Sequence, residues 1–139
     1  MRRIGETNIH RLLDANFNRS LEALRVCEDI CRFIFAQPRW TRAYKNARHA
    51  LRAIELTIYA RVQKIAARNI REDVGRKSGG FEFRRRHVKD IFWANSQRLK
   101  ESLRVLEEFA KLFDVTAAQK IKTLRYRIYD LEKKVVEQF

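Results

Sequence analysis

Apolar and small residues recur at helical spacing along four stretches of this 139-residue chain. Leu13, Asn16, Ser20, Leu24, Cys27, Cys31 and Ile34 follow at steps of three or four, the spacing that stacks side chains on one helix face. That stripe predicts a first helix from about Ile9 to Ala36, with Thr7 or Asn8 as its cap and Pro38 as its stop. Tyr44, Ala47, Leu51, Ile54, Ile58 and Val62 predict a second, from about Thr41 to Arg68. Beyond an irregular segment, Phe92, Asn95, Leu99, Leu103, Leu106, Ala110 and Phe113 predict a third from about Val88 to Phe113. Ile121, Leu124, Ile128, Leu131 and Val135 predict a fourth, capped by Asp114 or Thr116 and reaching almost to Phe139.

The pattern is duplicated. ANFNRSLEALRVCED, Ala15 to Asp29, recurs 79 positions later as ANSQRLKESLRVLEE, Ala94 to Glu108, with eight of fifteen positions identical. The second and fourth helices correspond at an offset of 77, which pairs Arg48-His49 with Arg125-Tyr126, Leu51 with Ile128, Ile54 with Leu131 and Glu55 with Glu132. The fold expected is therefore all-α: a four-helix bundle of two pseudo-twofold-repeated hairpins in one domain. The first repeat covers about 9–68, a basic glycine-containing loop about 69–86, and the second repeat about 88–138. Short turns within each hairpin make its helices antiparallel neighbours.

Composition supports this class. With four glycines and one proline there is little turn material, and few Val or Thr are present to build a sheet. No apolar run approaches the roughly 20 residues of a membrane span, and MRRIGETNIH lacks the apolar core of a signal peptide, so a cytoplasmic protein is expected. Cys27 and Cys31, four apart on one helix, have poor disulfide geometry and are expected as buried, reduced thiols. His10, His49 and His87 form no metal signature, and Trp40, Trp93 and the nine Phe follow no RNA-recognition pattern and are expected in the core. The formal net charge of +14 points to anionic partners, either nucleic acid or a phosphorylated small molecule.

The polar residues common to both repeats are the first candidates for chemistry: Asn16/Asn95, Arg19/Arg98, Glu22/Glu101, Arg25/Arg104 and Glu28/Glu107. Asn16 and Asn95 fall on the apolar seam, either as amides that fix helix register or as ligand-facing groups. Arg25 and Arg104 point away from it, with carboxylates three and four residues distant. Surface ion pairs of that kind contribute only a few tenths of a kcal/mol. A set retained in both copies therefore points either to a subunit interface or to an anion and metal site. The loop ARNIREDVGRKSGGFEFRRRH adds Arg68, Asp73 and a run of cations, but its GRKSGG does not satisfy the phosphate-loop pattern, since Arg71 stands where the first glycine belongs.

Four blocks, LLDANFNRSLEALRVCEDICRF, REDVG, ANSQRLKESLRVLEEFAK and LRYRIYDLEK, together resemble one family along nearly the whole chain. It is similar to the helical domain found in front of thiamin-phosphate synthase in many bacteria, sometimes as a stand-alone protein. That domain is a second, unrelated type of hydroxymethylpyrimidine phosphate kinase. The resemblance implies transfer of the ATP γ-phosphoryl group to 4-amino-5-hydroxymethyl-2-methylpyrimidine phosphate, giving the diphosphate and ADP. It further implies that the unphosphorylated alcohol is no substrate. Arg76 stands where the family often has Thr.

Phosphoryl transfer demands positioning and charge neutralisation more than covalent chemistry, and Mg²⁺ with ATP as co-substrate is the expected requirement. On that chemistry Asp73, Arg25 and Arg104 are the candidate catalytic residues. Asn16, Arg19, Arg68, Asn95 and Arg98 are candidates for substrate and phosphate binding, and Asp73, Glu28 and Glu107 for the metal. The phosphorylated pyrimidine and ATP are the expected partners, with a homodimer and a thiamin-phosphate synthase as further ones and no membrane. The competing readings are a basic helical nucleic-acid-binding module and a noncatalytic helical adaptor of a thiamin-phosphate synthase.

Overall fold

The computed structural model describes residues 5–60 and 85–139. Within them the chain forms α1 (Glu6–Asp29), a π-helical turn (Ile30–Ile34), α2 (Pro38–Tyr59), α3 (Val88–Ala110) and α4 (Val115–Val136), with no strand among the described residues. Arg68 and Asp73 lie outside the described residues, as do Val62 and the rest of the span to Arg68 expected for the second helix.

Each helix packs mainly on two neighbours: α1 on α2 and α3, and α4 on α2 and α3. His10 of α1 meets Phe113, just past the end of α3, at 5.9 Å between ring centroids. At the other end, Phe139 touches both Phe35 (5.0 Å) and Phe92 (5.6 Å). The start of α1 therefore lies by the end of α3, and α1 and α3 run antiparallel. The repeat axis crosses this seam. There Ser20 and Ser102 hydroxyls lie 2.7 Å apart, and Ser102 also donates to the Arg98 carbonyl at 2.7 Å, so Ser20 is the donor between them. The 79-residue offset maps Ser20 onto Leu99 and Ser102 onto Ala23, which sets a small residue opposite a large one in the symmetry-related contact.

The core is continuous, from Leu13, Phe17 and Leu24 of α1 through Tyr44, Leu51 and Ile58 of α2 to the stripes of α3 and α4. Helix ends obey local chemistry. Gln37 accepts from the Arg39 N–H at 3.3 Å, and Pro38 sits at the first turn, where its missing N–H is harmless, so Pro38 opens α2 rather than merely stopping α1. Asp90 reaches back to the His87 N–H at 3.1 Å, and Asp114 caps α4 through the Ala117 N–H at 3.1 Å. α1 begins at Glu6, earlier than the stripe predicts, after Gly5.

One part of the predicted stripe fails. Ile34 is 59% exposed, and Phe33 beside it 67%. The cause is the π turn, whose Phe35 N–H reaches the Ile30 carbonyl at 3.1 Å. The extra residue in that ring turns everything after it by about 100° relative to a regular helix. Phe35 takes the inward place and packs edge-on to Trp40 at 6.0 Å. Trp93, also expected inside, is 41% exposed because its neighbour Phe92 holds the seam. Asn95 is only half-buried, and Ser96 beside it fills the interior position.

Leaving the π turn, the chain passes through Ala36 at φ 49°, the left-handed region that favours glycine, and the Gln37 N–H closes back on the Cys31 carbonyl at 3.0 Å. Ala36 is solvent-exposed, so Ala36→Gly removes strain without opening a cavity. We expect it to raise unfolding stability by about 1 kcal/mol, seen as a melting temperature a few degrees higher. An unchanged or lower value would show that Ala36 is unstrained. The thiols give a second test. Burial pushes Cys31 up to about 12 and Cys27 higher still. Unfolded thiols ionise near pH ~8.5. Above that pH the unfolded chain releases protons that the folded chain retains, so stability is complete below it and falls as pH rises. Urea midpoints should therefore drop between about pH 8.5 and 9.5 in the parent and not in a chain carrying Cys27→Ala and Cys31→Ala.

Candidate functional site

Each hairpin buries one carboxylate of the repeated set between its two helices. Glu28 of α1 is 4% exposed and Glu107 of α3 is 2% exposed. An isolated charge at such depth would be prohibitively expensive, and both are met by guanidinium groups. Arg48 of α2 grips Glu28 with Nε at 2.9 Å and Nη2 at 3.5 Å, and Arg25 stands at 3.8 Å. Arg125 of α4 reaches Glu107 with Nη2 at 3.2 Å, and Arg104 with Nη1 at 2.7 Å. The two clusters are the same constellation repeated. They differ in detail, because the Arg125 Nε–H is buried with no hydrogen-bond acceptor among the described residues.

A second pair of acids follows the same symmetry. Glu55 is paired with Arg52 at 2.8 Å, and Glu132 with Lys100 at 3.0 Å and the Ser96 hydroxyl at 3.1 Å. Further along the first hairpin, the Tyr59 hydroxyl donates to buried Asp14 at 3.2 Å. On the rim the Glu108 carboxyl is held below the usual range, first by the hydrogen bond from Lys111, and the Arg104 guanidinium is raised, first by its bond to Glu107.

Between α1 and α2 these groups line an open groove of about 400 Å³, formed by Asn18, Leu21, Glu22, Arg25, Arg48 and Arg52. Arg25 is half-exposed at its edge, as Arg104 is on the other hairpin. The remaining predicted residues fall as follows. Asn16 is buried and its amide donates to the Leu12 carbonyl at 2.9 Å, while Arg19 approaches its oxygen at 3.4 Å. The Asn95 amide donates to the Ile91 carbonyl at 2.8 Å, and Arg98 lies on the exposed face. The structure thus brings Arg25 together with Glu28, Arg104 with Glu107, and Arg19 with Asn16. Sequence reasoning passed over Arg48, Arg52, Lys100 and Arg125 as site residues, although the 77-residue correspondence already paired Arg48 with Arg125.

Glu28 and Glu107 already have their charge met by arginine. Among the described residues no three His, Cys, Asp or Glu side chains converge on one point. Nor is any described helix long and apolar enough to cross a membrane.

Removing a buried partner exposes how these clusters work. Glu107→Ala leaves Arg125, only 11% exposed, without its counter-charge and should cost about 3 kcal/mol of stability. Glu108→Ala, on the exposed rim, should leave the urea midpoint nearly unchanged. Equal effects of the two would show that burial does not set the value of the pair.

Residues 11–134 match the model of the ThiD2 family. The chain is 38% identical over 133 residues to the thiamine-phosphate synthase of Synechocystis sp., covering 95% of this chain and 37% of that protein. It is 36% identical over 126 residues to the thiamine-phosphate synthase of Thermosynechococcus vestitus, covering 90% and 34%. With that of Nostoc punctiforme the identity is 34% over 129 residues, covering 92% and 35%. This chain therefore spans a little over a third of the length of these relatives. No solved structure matches it. A match through both hairpins, with the repeated polar set inside it, means that the chain belongs to the ThiD2 family.

Proposed function

We infer that the chain is a helical module of thiamine biosynthesis that works beside a thiamine-phosphate synthase. The observation that carries this reading is coverage: nearly the whole chain corresponds to about a third of each synthase relative, so those proteins contain this unit along with other sequence. The arginine-occupied acids favour a noncatalytic part, one that docks on a synthase or presents a phosphorylated compound to it.

A second reading is favoured by the duplication of the cationic cluster. Two phosphorylated reactants, ATP and 4-amino-5-hydroxymethyl-2-methylpyrimidine phosphate, would then meet two matching sets of guanidinium groups. In that reading the module is the phosphomethylpyrimidine kinase implied by the family resemblance. Guanidinium forks suit phosphate oxygens, and Arg25, Arg104, Arg19, Arg98 and Arg68 supply them. Asn16 and Asn95 each keep a second amide N–H, beyond the one on a backbone carbonyl, for a ring edge. Mg²⁺ is assigned to Asp73, since Glu28 and Glu107 are already paired. The acceptor is itself a phosphate and hardly needs a general base.

One set of incubations separates the readings. The purified chain is mixed with ATP, Mg²⁺ and the pyrimidine monophosphate, with and without a thiamine-phosphate synthase, and ADP and the diphosphate are measured. Co-elution with the synthase, or a faster synthase, without ADP supports the noncatalytic module. Monophosphate-dependent ADP release establishes the kinase, and alanine at Asp73, Arg25 or Arg104 should then lower turnover at least about tenfold, a barrier rise of roughly 1.4 kcal/mol. Neither turnover nor any effect on a synthase would overturn both.

A further inference from the structure

The α1–α2 groove and the corresponding outer face of α3 and α4 have not stayed alike. The correspondence carries Glu22 onto Glu101, Arg25 onto Arg104 and Arg48 onto Arg125, so the phosphate-suited core is common to both. Around it the partners differ. Where the α1–α2 groove has Leu21 and Arg52, the α3–α4 face has Lys100 and Tyr129, and Tyr126 takes the place of His49, which does not line the first groove. The first groove is therefore a guanidinium-lined trough with no aromatic ring among its lining residues. The α3–α4 face adds two rings that the bundle does not bury: Tyr126 is 57% exposed and Tyr129 43%.

Those rings are organised. Their centroids lie 6.3 Å apart at an interplanar angle of 47°. The Lys100 ammonium sits 5.0 Å from the Tyr129 ring centre and the Arg125 guanidinium 5.1 Å from that of Tyr126. Lys100 is itself fixed by Glu132 at 3.0 Å, and Arg125 by Glu107, so each ring is backed by an immobilised cation. Arg104, exposed beside them, shares an outer pair with Glu108 at 3.2 Å, an exposed contact weak enough for an incoming phosphate to exchange.

We propose that the exposed α3–α4 face binds a planar heteroaromatic ring carrying a phosphate, with Tyr129 and Tyr126 stacking the ring and Arg104 holding the phosphate, and that the α1–α2 groove takes phosphate groups without a ring. The proposal rests on the reading that the module handles a phosphorylated pyrimidine. Its chemistry fits either a nucleotide or a pyrimidine monophosphate, because any such ring offers a π-face and base–aromatic stacking tolerates ring identity.

The test is equilibrium binding by calorimetry on the full chain, with ATP, the pyrimidine monophosphate and inorganic tripolyphosphate as separate probes. Tyr129→Ala should weaken at least one ring-bearing probe about tenfold or more and leave tripolyphosphate unchanged. Tyr129→Phe should retain the ring affinity, and Arg52→Lys, which keeps a cation beside buried Glu55 but loses the guanidinium fork, should weaken tripolyphosphate only. Circular dichroism of each variant confirms the helical fold, and both substituted side chains are substantially exposed. The ring-bearing probe that responds identifies the source. Ring and tripolyphosphate affinities that fall together in Tyr129→Ala, or ring affinities that do not fall, would overturn the assignment. So would absence of ring binding by the parent. None of these measurements uses turnover or a synthase, so a failed kinase assay and a failed groove assignment remain distinct results.

Discussion

A buried carboxylate clamped by an arginine from the adjacent helix sets the geometry of each hairpin. Glu28 and Glu107 lie where an apolar residue would pack, and a charge there is tolerable only while Arg48 or Arg125 faces it. Such a pair adds little net stability compared with well-packed apolar side chains, because desolvation offsets most of the attraction. Its effect is on register: sliding α2 along α1 by one turn would strand both charges. The clamps thereby also fix the α1–α2 groove and the matching α3–α4 face, since Arg25 and Arg104 lean on the same carboxylates. The Ser20–Ser102 contact then joins the two clamped hairpins at the repeat axis with a bond that needs both helices in place.

Much of this was legible in the chain. Four stripes with a period near 3.6 predict four helices. The offsets of 79 and 77 predict two equivalent hairpins, and Ile121 to Val135 fall inward as their spacing requires. Ile34 did not, because a stripe assumes one hydrogen-bonding pattern throughout and five residues of π turn break that assumption without any marker such as proline. The candidate site was less legible. Glu28 and Glu107 looked outward-facing because on their own helices they lie near Arg25 and Arg104. Their burial comes from α2 and α4, whose arginines lie roughly twenty residues away, so only the tertiary fold reveals it.

The duplication separates what packing requires from what function permits. The clamp residues are equivalent in both hairpins, whereas the surfaces around them differ. Leu21 faces Lys100 in the correspondence, and Arg52 faces Tyr129. Both substitutions keep a buried acid satisfied: Glu55 by Arg52 on its own helix, Glu132 by Lys100 on the neighbouring one. Moving the cation from α2's position to α3's frees the outer face of α4 for a ring, and Tyr129 occupies it. The exchange keeps a cation on each buried acid while changing the chemistry of the surface.

That division bears on the excess of positive charge. A net charge of +14 draws phosphates without discriminating among them. Discrimination requires fixed donors. Arg48, Lys100 and Arg125, themselves largely buried, are each held by a buried glutamate. The acids that at first seem at odds with an anion-binding surface are therefore what gives it shape. They orient a few guanidinium and ammonium groups, neutralise them in part, and leave Arg25 and the outer side of Arg104, whose pair with Glu108 is exposed, open to an arriving phosphate.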